Sequence, residues 1–278
     1  MILKTILVHV DLSRHAPARI RAAAALANAH GACLLGVAMT GIPRAIFPEG
    51  YDVQPDTLAG GYFEPLVDNA RRALAAFELI AKETGTAFET RLVCDAADDA
   101  LALMARFADL VVESQNDLDE AMTDMALQLP DNLIMKSARP VLIIPRTDPV
   151  LNLVPTALVA WDGSEEASFA VSAAVPLLQR ARAVTVVTLL DAGRSRADSD
   201  REQAELGAYL GRHAIKPAFM TVPVSGDPGG ELLKLAGRHG HDLLVMGCYG
   251  HARWRELCLG GASRTVLAET DIPVLLAH

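Results

Sequence analysis

The chain has 278 residues, 51% of them apolar, and its 34 acidic against 25 basic side chains give a formal net charge of −9. That length exceeds what one hydrophobic core usually serves, and no apolar run reaches the roughly 18 residues of a membrane helix. The acidic balance disfavours nucleic acid as the main partner, because a phosphate backbone calls for a basic face.

Met1-Ile2-Leu3-Lys4 leads straight into a strand with no charged-then-apolar signal segment, so a cytoplasmic protein is expected. That strand runs through Leu7-Val8-His9-Val10 to Asp11-Leu12-Ser13. Strands and helices then alternate, interrupted between Gly41 and Tyr62 by Pro43, Pro48 and Pro55 with Gly50, Gly60 and Gly61. Phe63 to Gly85 has the spacing of a long helix, and Asp109 to Val112 and Arg139 to Ile143 read as strands. Between Thr147 and Pro155 two prolines and Asn152 break the pattern, which places a domain boundary there.

In the second half, Ala157 to Trp161 is an apolar run ending at Asp162. Ser164 to Arg180 follows with helical spacing, Ser164 serving as cap and Glu165-Glu166 filling an acidic first turn. Val184 to Leu190 is continuous Val, Thr and Leu, as a strand buried on both faces of a parallel sheet requires. Asp200 to His213 predicts a helix, Ala218 to Val224 a strand, Gly230 to Gly240 a helix, and Asp242 to Val245 a strand. A helix is expected from near Arg264, and Ile272 to Leu276 closes the half as a strand. Such alternation implies right-handed crossovers and an α/β fold: two tandem doubly wound open parallel sheets of five strands each.

The halves repeat one another. Leu7 to Ser13 sits 151 positions before Leu158 to Ser164, and Ala108 to Pro145 sits 133 positions before His241 to His278 without a gap. The first half therefore holds 18 extra residues, placed most economically in Gly41 to Tyr62. A spacing near 140 residues is too long for a solenoid repeat and suits two whole domains.

What the halves do not share is a set of glycines. The later copy carries Gly247, Gly250, Gly260 and Gly261; the earlier has Ser114, Asp117, Leu127 and Gln128 there. In an open parallel sheet, ligands bind beyond the carboxyl ends of the strands where the order reverses. Glycines let a backbone turn tightly and approach a bound group, and Gly260, Gly261, Ala262 and Ser263 lead into a helix whose N–H groups can face an anion. His251, Arg253, Arg255 and Arg264, opposed by Glu256, make this loop locally basic in an acidic chain. The plainer readings are a strand-to-loop turn for the glycines, a helix cap for Asp162 and a cap remnant for Asp11. Trp254 then reads as a packing anchor, and Cys248 and Cys258 as space-fillers. The four cysteines, with Cys33 and Cys94, form no C-x-x-C pair, which suits a reducing compartment and argues against structural zinc. His9, His30 and His213 show no metal-ligand spacing. No metal site is expected.

The run Gly247-x2-Gly250-x9-Gly260, followed by small residues and closing in Ile272-Pro273-Val274-Leu275, resembles the nucleotide loop of the universal stress protein family. The order of elements extends that resemblance over essentially the whole chain. It implies an adenine-nucleotide-binding α-hydrolase-like fold, with residues 1–150 a degenerate domain and residues 151–278 a domain that retains its nucleotide-binding loop. On it, Asp162 and the backbone of Ala160 and Trp161 contact the nucleoside, and Leu189 and Met246 lie beside them. By the same resemblance Gly247, Gly250, His251, Gly260, Gly261, Ala262 and Ser263 would line the phosphates of ATP or AMP, with Mg as the candidate counter-ion. The family usually has Ser or Thr directly after the last motif glycine, where this chain has Gly261. The resemblance also implies apolar closing strands, Pro140 to Pro145 and Pro273 to Ala277, paired across a two-fold, and a homo-oligomer such as a homodimer.

Catalysis has little support. The chain lacks a G-x-x-x-x-G-K-[ST] loop, a G-x-S-x-G elbow, an H-E-x-x-H pair and, at the first strand–helix turn of each half, a G-x-G-x-x-G fingerprint. The expectation is a stress-response protein whose second half binds an adenine nucleotide and works as a regulatory or interaction module with an unknown protein partner. A non-binding module of the same fold and a slow ATPase are the alternatives. Gly250→Val is expected to abolish ATP binding without unfolding the chain, since a β-branched side chain blocks close approach of a phosphate. Gly261→Ser, by adding a hydroxyl, is expected to tighten it about tenfold. Equilibrium titration of both variants checks the pair.

Overall fold

The apolar runs become strands, and in the computed structural model, which describes residues 2–46, 63–120, 129–147, 150–190, 196–248 and 261–278, most have both faces covered. Leu110–Ser114, Val141–Ile144 and Val274–Ala277 are buried at every residue, as parallel strands sandwiched between helices must be. The chain divides into two compact units, Ile2–Val150 and Leu151–His278.

In the first unit the elements run β1 Thr5–His9, α1 Ala16–His30, β2 Cys33–Met39, α2 Glu64–Glu83, β3 Phe88–Val93, α3 Ala97–Ala105, β4 Leu110–Ser114, α4 Leu129–Lys136 and β5 Val141–Ile144. A 3-10 turn at Arg44–Ile46 follows β2. Every described pairing is parallel, in the order β3-β2-β1-β4-β5. Helices cover both faces of the sheet, α1 packing with α2, and α3 with α4. Phe77 of α2 is fully buried and lies over Gly36 of β2, where a Cβ would come within 2.6 Å of its ring.

The second unit repeats the plan: β6 Thr156–Ala160, α5 Glu165–Leu178, β7 Ala183–Leu190, α6 Arg196–Arg212, β8 Ala218–Pro223, α7 Pro228–His239, β9 Leu243–Gly247, α8 Ala262–Glu269 and β10 Val274–Ala277. Its parallel order is β8-β7-β6-β9-β10. Ser164 caps α5, its hydroxyl accepting from Ala167 N at 3.1 Å. Three helices begin earlier than their sequence pattern indicates, among them α7, which starts at Pro228 rather than Gly230. Helix α6 starts at Arg196, and α8 starts at Ala262 because extended Gly261 (φ −62°, ψ 165°) is its N-cap. Helix α8 packs on α7 at Gly229, where a Cβ would lie 2.6 Å from the Ala262 carbonyl oxygen.

In both units the order turns around beside the first strand, between β1 and β4 and between β6 and β9. That puts the carboxyl ends of two adjacent strands next to each other, with their outgoing chains leaving in opposite directions. No helix among the described residues is long and apolar enough to cross a membrane. Gly250, His251 and Gly260 of the expected loop, its Arg253, Trp254, Arg255 and Cys258, and most of Gly41 to Tyr62 lie outside the described residues.

Candidate functional site

In the second unit the reversal point is built by β6, which runs out at Ala160 into Trp161 and Asp162, and β9, which runs out at Gly247. The two strands pair through Val159 and Val245. Asp162 makes a tight turn: its Oδ1 accepts from the Ser164 amide at 3.0 Å and the Ser164 hydroxyl at 2.6 Å. The cap of α5 is Ser164 rather than Asp162, which braces that cap while its side chain remains open to solvent.

Trp161 is anchored through its main-chain N–H to Val187 O at 2.9 Å. Its indole Nε1 is buried without a hydrogen-bond partner among the described residues. A buried donor left in that state costs roughly 1–3 kcal/mol. Leu189 lies on β7 two residues past Val187, the residue that pairs with Ala160, and is half-buried. Met246 is buried and pairs with Leu276 of β10.

Gly247 has a use the sequence did not suggest. A Cβ there would lie 2.4 Å from the Ala167 amide nitrogen and 2.5 Å from the Glu166 carbonyl carbon. The first turn of α5 is seated directly on the end of β9, and the missing side chain makes room for that helix. Beyond it, Cys248 is buried and donates through Sγ to Ala277 O at 3.2 Å, a packed thiol with a main-chain partner. Gly261 offers no side chain to cap α8, and Ala262 and Ser263 form its half-buried first turn.

At the same place the first unit holds an ion network. Position by position, Ala160, Ala170 and Met246 of the second half are matched by His9, Arg19 and Glu113. Arg19 is 1% exposed and reaches from α1 to the strand ends. Its Nε donates to His9 O at 2.9 Å, Nη1 to Glu113 Oε1 at 3.1 Å and Ser114 Oγ at 2.8 Å, and Nη2 to Asp11 Oδ1 at 2.8 Å. His9 Nδ1 and Glu113 Oε2 are 2.7 Å apart, and Glu113 Oε1 also accepts from the Ser114 amide at 2.7 Å. Asp11 keeps the turn seen at Asp162, accepting from the Ser13 amide and hydroxyl.

Burial by itself would raise the Asp11 and Glu113 carboxyls. The charge of Arg19, then that of His9, overrides it at Asp11; His9, then Arg19, overrides it at Glu113. Both are held well below the usual carboxylate range. Burial likewise opposes the charged form of Arg19, and Asp11 and Glu113 outweigh it. Farther out, His15 Nε2 lies 2.8 Å from Asp117 Oδ2, which also accepts from Arg14.

Residues 155–278 match the model of the universal stress protein family. A universal stress protein of Archaeoglobus fulgidus DSM 4304 is similar over 98% of this chain and 95% of its own, with 16% identity and a TM-score of 0.73. A putative universal stress protein of Pseudomonas aeruginosa UCBPP-PA14 is similar over 99% and 93%, at 14% identity and a TM-score of 0.60. A functionally unknown protein of Pseudomonas aeruginosa PAO1 is similar over 99% and 92%, at 13% identity and a TM-score of 0.60. No curated protein matches the chain. At these identities the likeness is one of fold, and the fold is that of universal stress proteins.

The network generates a prediction about the first unit. Arg19→Met leaves two carboxylates without their buried counter-charge and is expected to cost about 3–5 kcal/mol. Arg19→Met with Glu113→Met removes opposite charges together and is expected to recover part of that. Asp11 and Glu113 titrate lower folded than unfolded, so their contribution is fully present above about pH 4 and is lost as pH falls through the depressed folded values. Hydrogen exchange at the β1 and β4 amides reads this unit alone, whereas tryptophan fluorescence would not, because Trp161 and Trp254 lie in the other half.

Proposed function

We propose that the second half, residues 151–278, binds an adenine nucleotide, ATP or AMP, at the carboxyl ends of β6 and β9, and that the protein acts through this site as a regulatory or interaction module. The observation that carries the reading is the buried indole Nε1 of Trp161, a donor with no acceptor among the described residues, next in sequence to the exposed Asp162. An adenine nucleoside supplies both complements: ring nitrogens and ribose oxygens accept from an indole N–H, and ribose hydroxyls donate to a carboxylate. The family match over residues 155–278 supports the same placement. Gly261, Ala262 and Ser263 would face the phosphates from the start of α8, where a helix N-terminus favours negative charge.

The residues present fit the nucleotide better than a resident metal. Among the described residues of this half, no three His, Cys, Asp or Glu side chains converge on one point, so Mg2+ would be held chiefly by phosphate oxygens with Asp162 nearby. The first half is read as the degenerate partner domain, its reversal point occupied by Arg19 and its carboxylates. A non-binding interaction module is the second reading, favoured by one observation: the space at Gly247 is taken by the backbone of α5 rather than left for a ligand.

Trp161→Phe separates the two readings. It keeps the ring and deletes the donor, so it is expected to weaken ATP or AMP binding about three- to tenfold, the worth of one hydrogen bond, while the melting temperature holds or rises. Calorimetry and a thermal melt measure both. Binding unchanged by the substitution would remove the indole from the site, and wild-type protein that binds neither nucleotide would establish the second reading.

A further inference from the structure

Outside its buried ion network the first half contains a second cluster of polar side chains. His15 stands immediately before α1, and Asp117 and Glu120 stand on the chain leaving β4. One ligand-type atom from each, a ring nitrogen and two carboxylate oxygens, lies within 4.8 Å of the others. His15 and Asp117 are each 8% exposed at the side chain. None is matched by a like residue in the other half, where Glu166, Gly250 and Arg253 occupy the corresponding positions. The cluster therefore arose at the place where the other copy keeps a motif glycine.

We propose that His15, Asp117 and Glu120 form a binding site for a divalent transition metal of the zinc class. One imidazole nitrogen and two carboxylate oxygens are a donor set that Zn2+ accepts at about 2.0–2.2 Å, with water completing a tetrahedron. The carboxylates are already oriented by main-chain donors. Asp117 Oδ1 accepts from the Asp119 amide at 3.1 Å, and Glu120 Oε1 accepts from the Arg14 amide at 2.7 Å. Such outer contacts fix ligand direction before a metal arrives.

One cation is already near. The Arg14 guanidinium bonds the same Asp117 Oδ2 that faces His15, but the Arg14 side chain is 59% exposed. It can leave for solvent when a divalent ion takes its place, an exchange of cation for cation that costs little net charge. Arg14 is thus a competitor for the site, and its removal gives a signature that adventitious binding at other histidines does not share.

The test is a Zn2+ titration of the full-length protein, freed of metal by chelator dialysis, against a chromophoric competitor. Wild type is expected to take up one equivalent at this site. Asp117→Asn, which preserves shape, and His15→Ala are each expected to weaken that equivalent by more than the roughly 10–100-fold of an outer-contact change. Arg14→Ala is expected to tighten it about two- to fivefold, the worth of an exposed ion pair. Thermal melts confirm that each variant folds, and Asp117→Asn decides the matter if His15→Ala does not. The proposal is overturned if wild type binds no stoichiometric Zn2+, or if Asp117→Asn binds it as wild type does.

Discussion

An open parallel sheet whose strand order reverses leaves two adjacent strands ending side by side with no connection crossing above them. The polar groups at that gap need partners, and the rest of this molecule follows from how each half supplies them. In the first half the partner is internal: Arg19 comes down from α1 and binds Asp11, Glu113, Ser114 and the His9 carbonyl at once. In the second half the corresponding residues are Ala170, Asp162, Met246, Gly247 and Ala160. Among the described residues no guanidinium reaches this point, Asp162 stays exposed, and the Trp161 indole keeps a buried donor without an acceptor.

The two solutions differ in how readily they can change. Arg19, Glu113 and His9 are buried together, and a buried charge is tolerable only while its counter-charge is present. Each member therefore constrains the others, and the set would have to be replaced together. Among its described residues the second half has no such interlock. Its constraint is steric, at Gly247 and Gly229, where α5 and α8 approach too closely for a Cβ. That packing holds the helix starts at the strand ends.

Much of the architecture was legible because it rests on local pattern. Continuous Val and Leu runs became buried strands, Ser164 became the cap of α5, and the two alignment offsets carry β1 onto β6 and β4 onto β9 residue for residue. The contents of the sites were less legible, because their partners are far apart along the chain. Arg19 and Glu113 are separated by 94 positions and His15 and Asp117 by 102, so no motif spacing announces either cluster. Residue-type swaps between the copies could have found them: His, Arg and Glu against Ala, Ala and Met at three aligned positions is a charge-balanced exchange. Gly247 shows the opposite difficulty. A glycine at a strand end reads as room for a ligand, and only the position of α5 shows that a helix backbone uses it.

The central claim is that the two reversal points have diverged, one satisfied by its own side chains and the other left for a ligand. Calorimetric titration of the full chain with ATP, at a protein concentration above the Kd, tests this most directly, because the fitted stoichiometry counts the occupied sites. The account predicts a value near one nucleotide per chain; a value near two, or no binding, would contradict it.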